Sequence, residues 1–188
     1  MPWRKASGTS FVTTLPASPV DGQEVYYQAD GTSGVIWHLR YRAASASTYK
    51  WEFVGGSELT TTNTNYPNAQ SPSTYTDIPS SATITVPLAG DYVITFAGKH
   101  DATTTSADNY CLVSAATSSI AASDDYSQLA GFGGLSYSTN NMRFGFSRTA
   151  RMDGLAASAV VKLQLRAYNI STRVHHTSMV VRPIRVTG

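Results

Sequence analysis

Residues 24–56 decide the fold, and they read EVYYQADGTSGVIWHLRYRAASASTYKWEFVGG, with seven aromatic residues. Apolar and polar residues alternate on both sides of an Asp-Gly turn pair and of the segment ASAST, a pattern typical of three short strands. Because successive side chains of a strand point to opposite faces, Val35, Trp37 and Leu39 should share one face. We therefore predict a small three-stranded antiparallel β-module over residues 23–56.

The rings of this module have several possible uses. They could form the core of a sheet that has little else to bury, a sugar platform, a nucleic-acid stacking surface, or a surface that packs on another subunit. A buried aromatic side chain removes about 150–250 Å² from water, so we favour the core. The opposite face should be solvated or paired across strands; it carries Arg40, Arg42, Lys50 and Glu52.

The composition excludes several kinds of partner. The chain has 188 residues, a formal net charge of +2 and 14% charged residues, against about 25% in an average soluble domain. Without a run of Lys or Arg, no nucleic-acid partner is predicted. No apolar stretch approaches the ~18 residues of a membrane span, so no membrane insertion is predicted either.

Residues 1–22 contain a basic pair but no apolar run behind it, so we expect an extended lead-in and no signal peptide. Cys111 is the only cysteine, which rules out an internal disulfide and suits a protein made in a reducing cytoplasm. Within an apolar strand this thiol should act as a small buried hydrophobe.

The rest of the chain divides into a linker and a larger domain. Residues 57–76 are rich in Thr, Asn, Ser and Pro and lack periodicity, which predicts an extended connection. Residues 77–188 contain seven or eight period-two segments, which predicts a jelly-roll β-sandwich, with the exact strand count open over 127–141.

Three details of this larger domain can be predicted. PLAGD should be the turn of a hairpin, with Ile84 and Val86 on the strand before it and Tyr92 on the strand after it. In SAVVKLQLRAYN, three apolar residues should face inward, and the polar residues between them, Gln164 included, should face outward. Pro183 lacks a ladder donor, so the last strand should lie near an edge or carry a break.

The segments PVDGQEVYY, WHLRYRA and YKWEFVGG resemble a stretch that recurs in bacteriophage virion proteins, particularly minor tail and fibre proteins. The segments ITVPLAGDYVITFAGK, GLAASAVVKLQLRAYN and MVVRPIRV resemble the complement-head and tumour-necrosis-factor jelly roll. The first resemblance implies a virion surface protein whose N-terminal module docks on other virion proteins. The second implies a homotrimeric knob.

Together the resemblances imply a non-enzymatic, tail-associated receptor-binding protein that recognises glycan of the host cell wall. The alternative is a head fibre or capsid decoration protein without a specific ligand. The sequence holds no Gly-x-Ser-x-Gly elbow, no phosphate-cradling loop and no Cys pair, so we expect neither an enzyme nor a cofactor.

Candidate ligand contacts are few. Tyr126, Tyr137 and Asn140 lie in loop-like segments, where a ring and an amide could meet a sugar. Arg148 and Arg151 could contact a carboxylate or another subunit, since a guanidinium fork suits both. The plainer interpretation is a solvated turn with Arg151 near Asp153.

His175 and His176 form the pair in TRVHHTSM. On a regular strand, neighbouring side chains point to opposite faces and cannot chelate one metal ion; in a loop they could. Around a threefold axis, one histidine per chain could also hold a metal or anion. We take both as ordinary strand or loop residues and predict no metal site.

Overall fold

A computed structural model describes residues 10–70, 73–102, 110–117, 131–132, 143–168 and 171–187. Within these ranges the chain forms strands and turns. In chain order, the strands are β1 (Ser10–Val12), β2 (Glu24–Asp30), β3 (Val35–Tyr41), β4 (Trp51–Gly56), β5 (Leu59–Asn63), β6 (Thr76–Asp77), β7 (Ile84–Thr85), β8 (Ala89–Ala102), β9 (Tyr110–Ala116), β10 (Gly131–Phe132), β11 (Arg143–Leu155), β12 (Val160–Tyr168) and β13 (Thr172–Thr187).

These strands form two sheets. The larger has the order β1-β2-β3-β4-β13-β8-β11, with β5 also paired to β13, and the smaller has the order β10-β9-β12-β6, with β7 also on β12. All described pairs are antiparallel except β1 with β2. One buried apolar cluster draws Tyr92 and Phe96 from the larger sheet and Leu163 and Leu165 from the smaller. The predicted all-β class is confirmed, and the arrangement is that of a β-sandwich.

The aromatic meander forms as predicted, with β2 paired to β3 and β3 to β4. Trp37 is fully buried and Trp51 is 3% exposed. The ring centroid of Trp37 lies 6.0 Å from that of Tyr27 and 6.3 Å from that of Tyr92 on β8. These rings therefore belong to the core that the meander shares with the rest of the sandwich.

Two segments expected to lack strands contain them. In the lead-in, Ser10–Val12 pairs in parallel with β2. In the predicted linker, Leu59–Asn63 pairs with β13. The sequence LTTTN shows no hydrophobic alternation because Leu59 is its only apolar residue, and backbone pairing defines the strand instead. Because β4 and β5 lie along the same side of β13, the larger sheet runs without a break past residue 57.

The predicted hairpin around VPLAGD is wrong, because its two arms belong to different sheets. β7 pairs with β12, whereas β8 pairs with β13 and β11. The backbone N–H of Val86 donates to Ala159 O at 2.9 Å, and Ser158 N donates to Val86 O at 2.8 Å. These bonds hold the first arm on the smaller sheet, so the chain crosses between the layers at Pro87 and Leu88, before β8 begins.

The last strand carries a break, as one of the two alternatives for Pro183 predicted, but it lies at the centre of its sheet. Its register shifts between Pro183 and Arg185, and again between His175 and Ser178. On β12 the inward apolar residues are confirmed, since Val161, Leu163 and Leu165 are buried.

Gln164 was expected to face solvent, and that prediction is wrong. β6 pairs alongside β12 and covers this side chain, which is 1% exposed. Its Nε2 donates to Asp77 Oδ1 at 2.8 Å, and Lys162 Nζ donates to Asp77 Oδ2 at 2.7 Å. A hydrogen-bonded polar group can therefore stay buried here without a large penalty.

Replacement of Gly90 by Ala should destabilise the fold, because a Cβ there would lie 2.2 Å from Arg185 O of the neighbouring strand. Neither backbone can move without breaking the β8–β13 pairing, so we expect a loss of about 2–3 kcal/mol in the free energy of unfolding. Denaturant unfolding measures it.

Gly145→Ala is the matched control, since no atom lies within 4 Å of its Cβ position on β11. Its unfolding free energy should change by no more than about 0.5 kcal/mol. Equal losses in the two variants would contradict the close approach of β8 and β13.

Candidate functional site

A row of three rings crosses the outer face of the larger sheet. Phe11 on β1 lies opposite Tyr26 on β2, and Tyr26 lies opposite His38 on β3. His38 in turn lies opposite Gly55 on β4. We call Phe11, Tyr26 and His38 the aromatic row.

The rings of the aromatic row contact one another, and the first two of them are exposed to solvent. The centroids of Phe11 and Tyr26 are 5.9 Å apart, and those of Tyr26 and His38 are 4.9 Å apart. Interplanar angles of 32° and 35° leave the rings roughly aligned. Phe11 is 65% exposed and Tyr26 is 37% exposed. Beyond His38, the space above Gly55 is open, with no atom within 4 Å of a Cβ position.

The alternation of β2 explains why one ring is outside while its neighbour is inside. Val25 and Tyr27 are buried in the core, so Tyr26 must point to the opposite face. The sequence EVYYQA already required one of the two tyrosines to lie outside. Sequence reasoning missed the site because it assigned the meander's rings to one side and took no account of Phe11.

A charge row runs beside the aromatic row. Register places Glu24, Arg40, Glu52 and Arg185 side by side on β2, β3, β4 and β13. Glu24 Oε1 lies 3.5 Å from Arg40 Nε, and Glu52 Oε1 lies 3.9 Å from Arg185 Nε. Arg42 also reaches Glu52, at 3.2 Å. The predicted cross-strand pairing of this face is confirmed.

The two rows are joined through Glu24. Its Oε2 lies 2.9 Å from His38 Nε2, while its Oε1 faces Arg40. The imidazole is therefore held in place at the end of the aromatic row by the carboxylate beside it. Because charges of opposite sign alternate along the charge row, this face lacks the continuous positive groove that single-stranded nucleic acid requires.

Of the candidate ligand residues proposed from sequence, Arg148 and Arg151 are described, and neither belongs to the aromatic row. Tyr126, Tyr137 and Asn140 lie outside the described residues. Arg148 and Arg151 are exposed on β11, opposite Phe96 and Val93. Because Arg148 and Arg151 are three positions apart on one strand, their side chains lie on opposite faces of the sheet. The structure therefore does not bring them together.

Arg151 is paired with acidic groups on its own side of the sheet. Its Nε donates to Asp153 Oδ1 at 2.6 Å, and its Nη2 lies 3.8 Å from Asp91 Oδ2. The bond to Asp153 raises the pKa of the guanidinium. The expected proximity of Arg151 to Asp153 is confirmed, and a role of Arg148 or Arg151 in ligand contact stays a prediction.

The adjacent histidines lie within β13, but not on a regular stretch of it. The register shift between His175 and Ser178 and a φ of 48° at His176 bring the two rings to a centroid distance of 4.8 Å. The expectation that strand neighbours point apart therefore fails here. In the described part of the chain, no group of three or more His, Cys, Asp or Glu side chains could hold a metal ion.

His100 lies one strand away, on β8, and is 6% exposed. Its Nε2 contacts the hydroxyl of Thr172, which is fully buried. Burial lowers the pKa of His100 to about 4, although Asp101 acts in the opposite direction. His100 is therefore a neutral, structural imidazole at ordinary pH.

No protein-family model and no curated protein matches the chain. Among solved structures, the chain is similar to dimeric latent PorU from Porphyromonas gingivalis, with 11% sequence identity and a TM-score of 0.37. The match covers 68% of this chain and 13% of PorU. That likeness carries no argument about function. Among the described residues, no helix is long and apolar enough to cross a membrane.

Acid should destabilise the protein through His100. The unfolded chain binds a proton near pH 6.5 and the folded chain only near pH 4, so stability is complete above pH 6.5 and falls as the pH is lowered between these values. The shift corresponds to about 3 kcal/mol. Urea unfolding at several pH values measures this loss.

His100→Gln should flatten that pH dependence, because an amide keeps a hydrogen bond to Thr172 without taking up a proton. His38→Gln is the control: it removes an imidazole from the outer face and should leave the pH dependence of the unfolding free energy unchanged. An unchanged acid slope in His100→Gln would show that another group causes it.

Proposed function

We propose that this protein is a non-enzymatic bacteriophage virion surface protein that binds a glycan of the host cell wall. The observation that carries the binding proposal is the aromatic row, three rings in register of which Phe11 and Tyr26 are exposed to solvent. Exposed apolar patches rimmed by polar groups commonly mark ligand-binding surfaces. Here the polar groups at the edge of the patch are the carboxylate of Glu24 and the guanidinium of Arg40.

A saccharide suits this surface better than the other ligand classes considered. A pyranose ring has C–H groups on its faces, which can lie flat on the negative face of an aromatic ring. Its hydroxyls project from the edge and need hydrogen-bond partners, which Glu24 and Arg40 supply beside the rings. Since these two charges oppose each other, a neutral glycan costs less to bind than a charged one.

The virion assignment rests on the resemblance of the N-terminal segments to phage tail and fibre proteins. The same resemblance supports a location in the virion, with assembly of the particle in the host cytoplasm. It also supports docking of the N-terminal module on other virion proteins.

A second candidate follows from the same surface. The aromatic row lies in the N-terminal module to which the resemblance assigns docking, so these rings could instead pack on a neighbouring virion protein. The protein would then be a head fibre or capsid decoration protein without a specific ligand.

Truncation of the exposed rings should weaken glycan binding. A nucleic-acid base stacked on an aromatic side chain contributes about 1–3 kcal/mol. If a sugar ring stacks as strongly, Phe11→Ala and Tyr26→Ala should each weaken binding about 5- to 150-fold in a pull-down on purified host cell walls. Val160→Ala, which removes an exposed apolar side chain on the smaller sheet, should bind like the unaltered protein.

Failure of the unaltered protein to bind cell walls would overturn the glycan proposal. The second candidate is then tested by adding the purified protein to virions that lack it. Binding of the unaltered protein to these virions, together with loss of binding in Tyr26→Ala, would support docking through the aromatic row.

The protein should form a homotrimer, as the resemblance to the tumour-necrosis-factor jelly roll implies. Light scattering at micromolar concentration should give three times the chain mass, with little dissociation on dilution. A monodisperse monomer would contradict this assembly.

A further inference from the structure

The histidine pair on β13 brings two imidazole nitrogens into contact. Because the bulge interrupts the alternation of the strand, the Nδ1 atoms of His175 and His176 converge to 2.5 Å. His176 adopts a left-handed conformation, with a φ of 48°, and its side chain is exposed. One of the two imidazoles in contact is therefore buried and the other is exposed to solvent.

The other nitrogen of His175 faces a buried carboxylate. Its Nε2 lies 3.2 Å from Asp101 Oδ1, and both residues are almost fully buried. Asp101 is itself held, since the hydroxyl of Tyr66 donates to its Oδ2 at 2.6 Å. Metal-ligating histidines usually present their second nitrogen to a carboxylate, which fixes the tautomer and raises the basicity of the ligand nitrogen.

The ring of Tyr66 completes this support. It packs edge-on against His175 with centroids 4.5 Å apart, and the guanidinium of Arg173 lies 4.2 Å from its centre on the ring face. The imidazole of His175 is therefore flanked by a buried carboxylate at ion-pair distance and by a packed ring. A fixed first ligand lowers the entropy lost when an ion binds.

We propose that His175 and His176 bind one divalent transition-metal ion of the imidazole-preferring class, such as Zn²⁺, through their Nδ1 atoms. Zinc–nitrogen bonds are about 2.0–2.1 Å long, so two of them at the tetrahedral angle need nitrogens about 3.3 Å apart. The pair must open slightly, and the exposed His176 can do so. The ion takes the place of the proton that otherwise lies between the two nitrogens.

The site supplies two protein ligands within the described part of the chain, where no group of three or more metal-binding side chains occurs. Water fills the remaining coordination positions. Affinity should therefore lie in the micromolar range, well below that of a four-ligand structural zinc site. Mg²⁺ should not compete, because it prefers oxygen ligands.

Calorimetric titration of the full-length protein with ZnCl₂ at pH 7.5 tests the site. One ion should bind per chain, and MgCl₂ should give no heat of binding. His176→Asn should weaken zinc binding at least 10-fold and leave the fold intact, because Asn tolerates a positive φ. His38→Gln, which removes an imidazole elsewhere, should bind zinc normally.

Asp101 is a positioning residue in this proposal. Tyr66→Phe removes only the hydroxyl that holds Asp101, so it should weaken zinc binding by a smaller factor than Asp101→Asn, for which 10–100-fold is expected. Zinc binding no tighter than magnesium binding, or full binding by His176→Asn, would overturn the proposal.

Discussion

Strand β13 is the constraint on which the rest of the molecule depends. Along one edge it pairs with β8 over most of its length, and along the other it pairs first with β5 and then with β4. The aromatic meander therefore joins the sheet through Trp51 and Glu52, whose partners are Val186 and Arg185. Because of this junction, Trp37 packs near Tyr92 in a common core.

The two bulges of β13 keep its apolar residues inside over 16 residues. Val174 is buried at an even position, Met179 and Val181 at odd positions, and Val186 again at an even one. A bulge inserts one unpaired residue and so exchanges the faces beyond it. The shift at Pro183 also accommodates a residue that cannot donate to the ladder. The shift at His175 has the further consequence that two neighbouring rings share one side.

Sequence alone could predict what hydrophobic alternation encodes. The burial of Trp37 and Leu39 and the inward face of β12 followed from period-two patterns, as did the all-β class. Alternation cannot say which sheet a strand joins, so β7 and β8 were wrongly paired. It also cannot reveal Leu59–Asn63, whose threonines carry no hydrophobic pattern, nor the burial of Gln164, which depends on the distant Asp77.

The candidate site was only partly predictable for the same reason. That Tyr26 and Tyr27 face opposite ways follows from their adjacency, and so does the pairing of an outer charged face. The identity of the exposed tyrosine and the alignment of Phe11 beside it depend on which face the smaller sheet covers and on a parallel strand outside the meander. The convergence of His175 and His176 depends on a bulge that the local residue pattern does not predict.

The register that creates the aromatic row also limits what it can hold. Neighbouring strands lie about 4.8 Å apart, so three rings on three strands form a platform roughly 10 Å long across the sheet. The charge row runs parallel to it two residues away, and its alternating signs cancel at longer range. In the proposed glycan-binding role, recognition would therefore come from close contact: the aromatic rings against an apolar ligand face, with Glu24 and Arg40 meeting polar groups at its edge. A ligand one or two sugar rings in length satisfies both conditions, whereas an extended polyanion would leave most of its charge unpaired.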